Sequence, residues 1–425
     1  MILILGLGSY PQGSGTSAAL FLAKQGHELV VTDLKTANQL HQPTLRKLKA
    51  FSNVTLVLRK HRKQDIKRAK LIVRNPGVPD WSPFIEYAHQ LKKPITNDVG
   101  LFLDALRERY SHAEVPVIGI TGTRGKSTTT AIMGDVFKTH FGEQTIHVGG
   151  NIGKSPLTFL HHIKSRHIVI LELSSWLLHD LHKPRFTVTV MTNLLRDHMN
   201  YYPSMTLYRK DKERIFLGQT ADEYAIVNQD DVIVQKMAKH TKASVISFQK
   251  ERVAGMKLLG EHNQYNIGAA IEVAKLFNIP TTTIERVIKN FSGIANRLEQ
   301  IRVYKKREFY NDTTATTPDA TIAALRSFKK KVILIAGGNT KRLSLKDLNK
   351  EIVGGVKSLI LLPGNATNQF PAGIEVATMK QAVHTAWNLS KQGDIILLSP
   401  GVTWLPKMNE FERGKLFVRE VKRLK

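Results

Sequence analysis

Short unbroken apolar runs alternate along the chain with longer stretches of helical periodicity, and glycine, proline or asparagine clusters punctuate them. Strands buried on both faces read as continuous apolar runs, and their alternation with helices predicts parallel sheets made of βαβ units. The opening I-L-I-L-G-L-G-S-Y-P-Q-G-S-G is a strand running into a glycine-rich turn. A helix over Ser17–Lys24 and a strand over Glu28–Thr32, ending at Asp33, follow. Further strands are expected at Val54–Leu58, Leu71–Val73 and Pro94–Thr96, with a helix over Asp80–Leu91. Tyr110–Glu114 is polar and reads as a linker. A second unit opens at Val115 and contains strands over Val169–Leu173 and Thr187–Asn193. After Ser292-Gly293 a third begins near Asn296, with strands at Val332–Ala336, Leu359–Leu362 and Ile395–Leu398. The predicted fold class is α/β in three domains: Rossmann-like 1–112, a central P-loop-type domain 113–294, and Rossmann-like 295–425.

The most informative stretch is V-P-V-I-G-I-T-G-T-R-G-K-S-T-T-T, Val115 to Thr130. An apolar strand (Val117, Ile118, Ile120) meets a turn of Gly122, Thr123, Arg124 and Gly125, and a helix starts at Lys126-Ser127. Glycines let backbone N–H groups approach a polyphosphate, and the helix start adds positive dipole. Lys126 can reach the β and γ phosphates, and Ser127 can ligate Mg²⁺. The strict pattern asks for glycine where Ile120 stands, so this is a variant of the phosphate loop. Gly122 through Thr128 are the candidate nucleotide-binding residues.

Other features are less specific. Gly6-Leu7-Gly8 and Asp33 form a Rossmann-like opening, but Tyr10-Pro11-Gln12 interrupts the glycine spacing. A nucleotide other than a redox dinucleotide, a redox dinucleotide, or a purely structural turn all remain readings. Glu172, in E-L-S-S-W-L-L, and Asp197-His198, in T-N-L-L-R-D-H-M, end strands where open α/β sheets bind ligands. Tyr201–Phe216 is a helical pattern dense in cations.

Composition changes the picture little. The 425 residues, 42 % apolar and 23 % charged, fit a globular protein of two to four domains. No apolar run approaches the roughly 18–20 residues that span a bilayer. Met1–Gly8 lacks a basic leader and cleavage site, so a cytoplasmic protein is expected. Zero cysteines exclude disulfides, thiolate metal sites and thiol catalysis. The net charge of +27 invites a polyanion, yet the basic residues are scattered, with small clusters at Lys60–Lys70, Lys305–Arg307 and Lys329–Lys331. Dispersed basicity is the simplest reading, followed by steering of anionic small substrates, then a nucleic-acid or membrane surface. No nucleic-acid partner is expected.

T-G-T-R-G-K-S-T resembles the T-G-S/T-N-G-K-S/T-T loop of the Mur ligases and folylpolyglutamate synthetases, with Arg124 in place of Asn. Those enzymes phosphorylate a carboxylate with ATP and let an amine displace the phosphate. The likeness extends along the chain and is greatest to the Mur ligase branch that adds D-glutamate to UDP-N-acetylmuramoyl-L-alanine. It implies ATP as cosubstrate and two Mg²⁺ ions, with Mn²⁺ an alternative, at Ser127, Glu172, His198 and Lys212. Lys212 matches the lysine that the family carbamylates, and the new carboxylate binds the second ion. Carbamylation needs the neutral amine, scarce for a lysine of pKa about 10.4; Arg209, Lys210, Arg214 and burial are expected to favour it.

The same resemblance assigns the remaining residues. G-G-N-I-G puts Asn151 on the muramoyl-alanine, and the opening domain, with Gly8 and Asp33, becomes a UDP site. G-E-H-N-Q-Y-N puts Asn263 and Asn266 near adenine, N-R-L-E turns Arg297 towards ATP, and Y-N-D-T-T-A-T-T-P-D-A makes Asp312 the ribose ligand. In the third domain G-G-N-T-K gives Lys341, which with Thr316 would hold the glutamate. S-P-G-V-T-W-L-P-K-M-N-E-F-E-R-G contributes Thr403 and Phe411. Departures are Thr314 for lysine, Asn296 for histidine and Trp404 at a serine position, Thr403 being the expected compensating donor. Lys126, His198 and Lys212 are the expected catalytic residues, in a monomer.

Overall fold

The computed structural model describes residues 1–199, 201–340, 343–403 and 410–425. It contains three sheets. In the first, β1 (Ile2–Leu5), β2 (Leu29–Asp33), β3 (Val54–Leu58), β4 (Leu71–Arg74) and β5 (Ile95–Thr96) are all parallel, in the order β3-β2-β1-β4-β5. The chain winds one way from β1 to β3 and the other from β4 to β5, so a crevice opens at the carboxyl ends of β1 and β4. The first helix spans Ser14–Lys24, three residues earlier than expected. Gly15 permits this: a Cβ there would lie 2.2 Å from the Gly6 carbonyl oxygen. The helix expected over Asp80–Leu91 is Pro83–Gln90, started by Ser82, whose hydroxyl caps the N–H of Phe84, and by Pro83 in its first turn.

The second sheet, also all parallel, comprises β6 (Val117–Thr121), β7 (Ile146–Gly150), β8 (Ile168–Glu172), β9 (Val188–Met191), β10 (Tyr224–Asn228) and β11 (Ser244–Phe248), ordered β11-β10-β9-β6-β8-β7. This order sets β6 between β8 and β9. The third sheet holds β12 (Glu299–Tyr304), β13 (Arg307–Asn311), β14 (Val332–Gly337), β15 (Val356–Leu362), β16 (Ile374–Glu375) and β17 (Ile395–Leu398), ordered β12-β13-β17-β14-β15-β16. Only β12 and β13 pair antiparallel. Their hairpin escapes the sequence pattern because its two turn residues, Lys305 and Lys306, hold left-handed φ values of 46° and 58° that glycine or asparagine usually signals.

The chain divides into two compact units, one of residues 1–251 and 265–287, the other of 252–264 and 288–425. Within the first, one apolar core runs from the first sheet to the second, from Ile4 and Val31 through Phe102 and Leu106 to Val117, Leu171 and Phe186. A buried ion pair crosses the same boundary. Arg74, 1 % exposed, donates through Nε to Asp180 at 2.8 Å and through Nη1 to Asp80 at 2.5 Å. His179 then bridges Asp80, at 3.2 Å, and Asp211, at 2.9 Å. Burial opposes charge on His179, but its hydrogen bonds to Asp211 and Asp80 prevail and lift its pKa to about 9. No helix among the described residues is long and apolar enough to cross a membrane.

Candidate active site

The phosphate loop leaves β6 and enters the helix Lys126–Phe141, as the sequence predicts. Gly125 stands at its start with φ 84°, and a Cβ there would lie 2.1 Å from Asn266 Oδ1. Asn266, 3 % exposed, also accepts from the Thr129 hydroxyl at 3.3 Å, so it packs against the loop. This contact sets Asn266 beside the start of the phosphate-loop helix. Gly122, φ 143°, is required too, because a Cβ would meet Thr192 Oγ1 at 1.9 Å. The N–H groups of Thr123 and Arg124 donate to Asn193, at 2.9 and 2.8 Å, which clamps the loop to the end of β9. The first bond within the helix joins Thr129 N–H to Gly125 O. The N–H groups before it point out of the helix start, where an anion is stabilised. Lys126 folds over the loop, with Nζ 2.9 Å from Gly122 O and 3.0 Å from Thr123 O.

Because β6 lies between β8 and β9, their carboxyl ends bring Glu172 and the 192–198 segment to either side of this loop. Glu172 is 2 % exposed; Oε1 accepts from Asn151 Nδ2 at 3.0 Å, while Oε2 is buried with no hydrogen-bond partner among the described residues. An orphaned carboxylate oxygen suits a hard cation. His198 has φ 57°, lies tilted against Trp176 with ring centroids 4.8 Å apart, and is 3.6 Å from Asp197, which Arg124 also reaches at 3.2 Å. Lys212, on the helix Met205–Glu213, is fully buried and turns inward, Nζ donating to Gly122 O at 2.7 Å. Burial first, then the charge of Lys126, holds its pKa well below the ordinary lysine value. The cations expected to act, Arg209, Lys210 and Arg214, are not the main ones: Arg214 is spent on the carbonyls of Leu178 and Leu181. No group of three His, Asp or Glu side chains forms a ready cation cage among the described residues.

A cleft of about 330 Å³ opens at the carboxyl ends of β1 and β4 and reaches the second sheet. Gly8 and Asn151, both assigned to substrate, line it. Asp33 lies behind the wall: its carboxylate accepts from Gly8 N–H at 2.9 Å and Lys35 N–H at 2.8 Å, shaping the loop. The residues Tyr10-Pro11-Gln12 that interrupt the glycine spacing dock on the second sheet's side, Gln12 O accepting from Ser155 N–H at 2.9 Å. The sequence reading missed Lys35 and Lys154, two cations on the wall, and Asp98, whose carboxyl is pushed up by burial and accepts from Ser14. Nothing in the pattern around them distinguishes them; only the fold gathers them.

In the second unit Asp312 is 6 % exposed, accepts from Ser399 at 2.8 Å and Leu298 N–H at 3.2 Å, and is pushed by burial to about 7. Arg297 is exposed, and Asn263 donates to Leu259 O at 2.6 Å. Thr403 pairs with Asn339 in an isolated bridge, Thr316 N–H donates to Thr314 O, and Phe411 is 45 % exposed. Arg413, buried among Thr313 and Val402, holds this loop and was not singled out by sequence. Lys341 and Trp404 lie outside the described residues.

A phosphate loop flanked by a buried carboxylate and a buried lysine, on a second α/β sheet joined to a cleft in the first, defines an ATP-using ligase of the Mur type. Residues 1–97 match the Mur ligase MurD-like N-terminal domain, 120–255 the Mur ligase middle domain, and 296–402 the Mur ligase glutamate ligase domain. The chain belongs to the Mur ligase family. It is 32 % identical to the UDP-N-acetylmuramoylalanine--D-glutamate ligase of Roseiflexus sp., over 99 % of this chain and 97 % of that one. It is also 32 % identical to the enzyme of that name from Clostridioides difficile, over 100 % and 98 %. Among solved structures, MurF from Acinetobacter baumannii superposes with a TM-score of 0.64 at 14 % identity, covering 97 % of this chain and 100 % of that one. UDP-N-acetylmuramate-alanine ligase MurC from Thermotoga maritima gives 0.61 at 18 %, covering 99 % of each.

Proposed function

We propose that this chain uses ATP to join the amine of D-glutamate to the alanyl carboxylate of UDP-N-acetylmuramoyl-L-alanine, in the cytoplasm. The names of its relatives support the substrates, and the three domains divide at 112/113 and 294/295. The observation that carries the chemistry is Lys212: a fully buried amine against the phosphate loop, whose pKa burial and Lys126 lower well below the ordinary lysine value. A neutral amine adds to CO₂ and loses a proton, giving a carbamate beside Glu172. Mg²⁺, or Mn²⁺, held by Ser127, Glu172, His198 and that carbamate would neutralise phosphate charge.

The cleft residues Gly8 and Asn151, with the loop that Asp33 shapes, take the nucleotide-sugar. Its carboxylate attacks the γ-phosphorus, with Lys126 balancing the developing charge, and ADP leaves. The glutamate amine attacks the acyl phosphate, and the tetrahedral adduct expels phosphate. Arg297 and Asp312 are assigned to ATP, with Asn263 and Asn266 at the adenine; Thr316, Lys341, Thr403 and Phe411 are assigned to glutamate. Phosphate release with UDP-N-acetylmuramoyl-L-alanine, ATP and single amino acids tests the reading. Release with D-glutamate is expected; a preference for L-glutamate or a diamino acid rejects the assignment.

A further inference from the structure

A parallel sheet gathers all its helix-to-strand connections at the amino ends of its strands, away from its cleft. In the first sheet four such connections form one continuous face. Asn53 Nδ2 ties its own connection to the next, donating to Ala23 O at 3.0 Å and His27 O at 2.7 Å. Ile2 N–H donates to Glu28 O, Lys70 N–H to Met1 O, and Lys93 Nζ to Lys67 O and Ala69 O. Around this face stand exposed cations from each helix end: Lys24, then Lys47 and Lys49, then Lys67, Arg68 and Lys70, then Lys92. Glu28 is the exposed carboxylate on these connections; Asp65 is buried and paired with Arg62. One cation at a helix end complements the helix dipole. That accounts for Lys24 and Lys92, and not for the pair and the triple between them, whose one nearby acid, Asp65, is taken by Arg62.

We propose that this face docks the protein on an anionic lipid surface. The charges are spread over a sheet end, and a planar array of anions needs only such a spread, within a screening length of about 8 Å at physiological salt. Single-stranded nucleic acid asks for exposed rings on which bases stack, and the ring here, Phe51, is half-buried against the apolar core. The cleft opens at the opposite ends of the strands, so docking leaves it accessible. The inference is independent of which amino acid the enzyme adds.

The test is co-sedimentation of the full chain with vesicles of phosphatidylcholine alone or with about one-third phosphatidylglycerol, at about 0.1 M salt. Binding at least about tenfold greater to the anionic vesicles, lost at high salt, is expected. The triple variant Lys67→Glu, Arg68→Glu, Lys70→Glu should lose most of it while phosphate release is unchanged. Lys329→Glu, Lys330→Glu, Lys331→Glu makes the same charge change in the second unit and should bind as the wild type does. Equal loss in both variants would reduce the effect to net charge and overturn the proposal. So would equal binding to neutral vesicles, or displacement from vesicles by RNA at matched phosphate concentration. If charge reversal lowers the melting temperature, the glutamine versions of the first triple must still lose binding, and retention there overturns it.

Discussion

Arg74→Met should be among the most destabilising single changes available in the first unit. The arginine serves two carboxylates of unequal standing. Asp80 has a side chain 38 % exposed and can be rehydrated, whereas that of Asp180 is 4 % exposed and cannot. The cost therefore falls on Asp180, left charged without a partner or forced to take a proton. Breaking a buried pair from one side costs about 3–5 kcal/mol, a large share of the roughly 5–15 kcal/mol that keeps a protein folded. With about 2–4 °C lost per kcal/mol at this size, the melting temperature should fall by roughly 6–20 °C. Circular dichroism melts at pH 7 measure it. Burial already pushes the Asp180 carboxyl up even beside Arg74. Without the arginine its folded pKa rises further above the unfolded one, so the folded state gains a proton as pH falls. The deficit should then shrink between pH 7 and 5. The double variant Arg74→Met, Asp180→Leu should recover most of the loss, because the buried charge left without a partner is removed with it. A shift of under about 3 °C for the single variant, or additive losses in the double, would refute the reasoning.

Three further outcomes follow from the site and its supports. Lys126→Ala should abolish ATP-dependent phosphate release yet leave the far-ultraviolet spectrum and melting temperature near wild type, since its amine lies on the carbonyls of the loop rather than in an apolar core; retained turnover sinks the phosphate-loop assignment. Lys212→Ala should lose activity and regain part of it with added formate or acetate, small carboxylates able to stand where the carbamate would; full activity without additive would leave Lys212 a structural residue. His179, raised to about 9 by Asp211 and Asp80 against its burial, stabilises fully below the unfolded pKa near 6.5 and loses that contribution as pH rises through 9. The wild-type melting temperature should thus fall between pH 6.5 and 9, by at most about 1.4 kcal/mol of stability per pH unit, and His179→Gln should lack that slope. Matching slopes would show that the two carboxylates do not hold the proton.

The apolar runs by themselves placed many of the strands but not β7, β10, β11, β12, β13 or β16, because only a continuous apolar run separates a strand from its surroundings in the sequence. Val54–Leu58 and Ile395–Leu398 fall as expected, and most of the others within one or two residues. The phosphate loop was legible too: glycine at 122 and 125 is imposed by Thr192 and Asn266, and the helix must start where Lys126 and Ser127 stand. Weak or conformation-dependent signals were not legible, such as the hairpin turned by Lys305-Lys306 or Arg413 under its loop. Only the tertiary structure decided what long-range neighbours decide. It set Glu172 and His198 on either side of the loop through the order β9-β6-β8 and put Lys126, rather than the cations of its own helix, beside Lys212. It tied the Asp33 carboxylate to the N–H groups of Gly8 and Lys35. Cations scattered along the chain became one face because a parallel sheet sends every returning connection to the same end. Local pattern specifies an element, while charge and chemistry depend on which elements the sheet order makes neighbours.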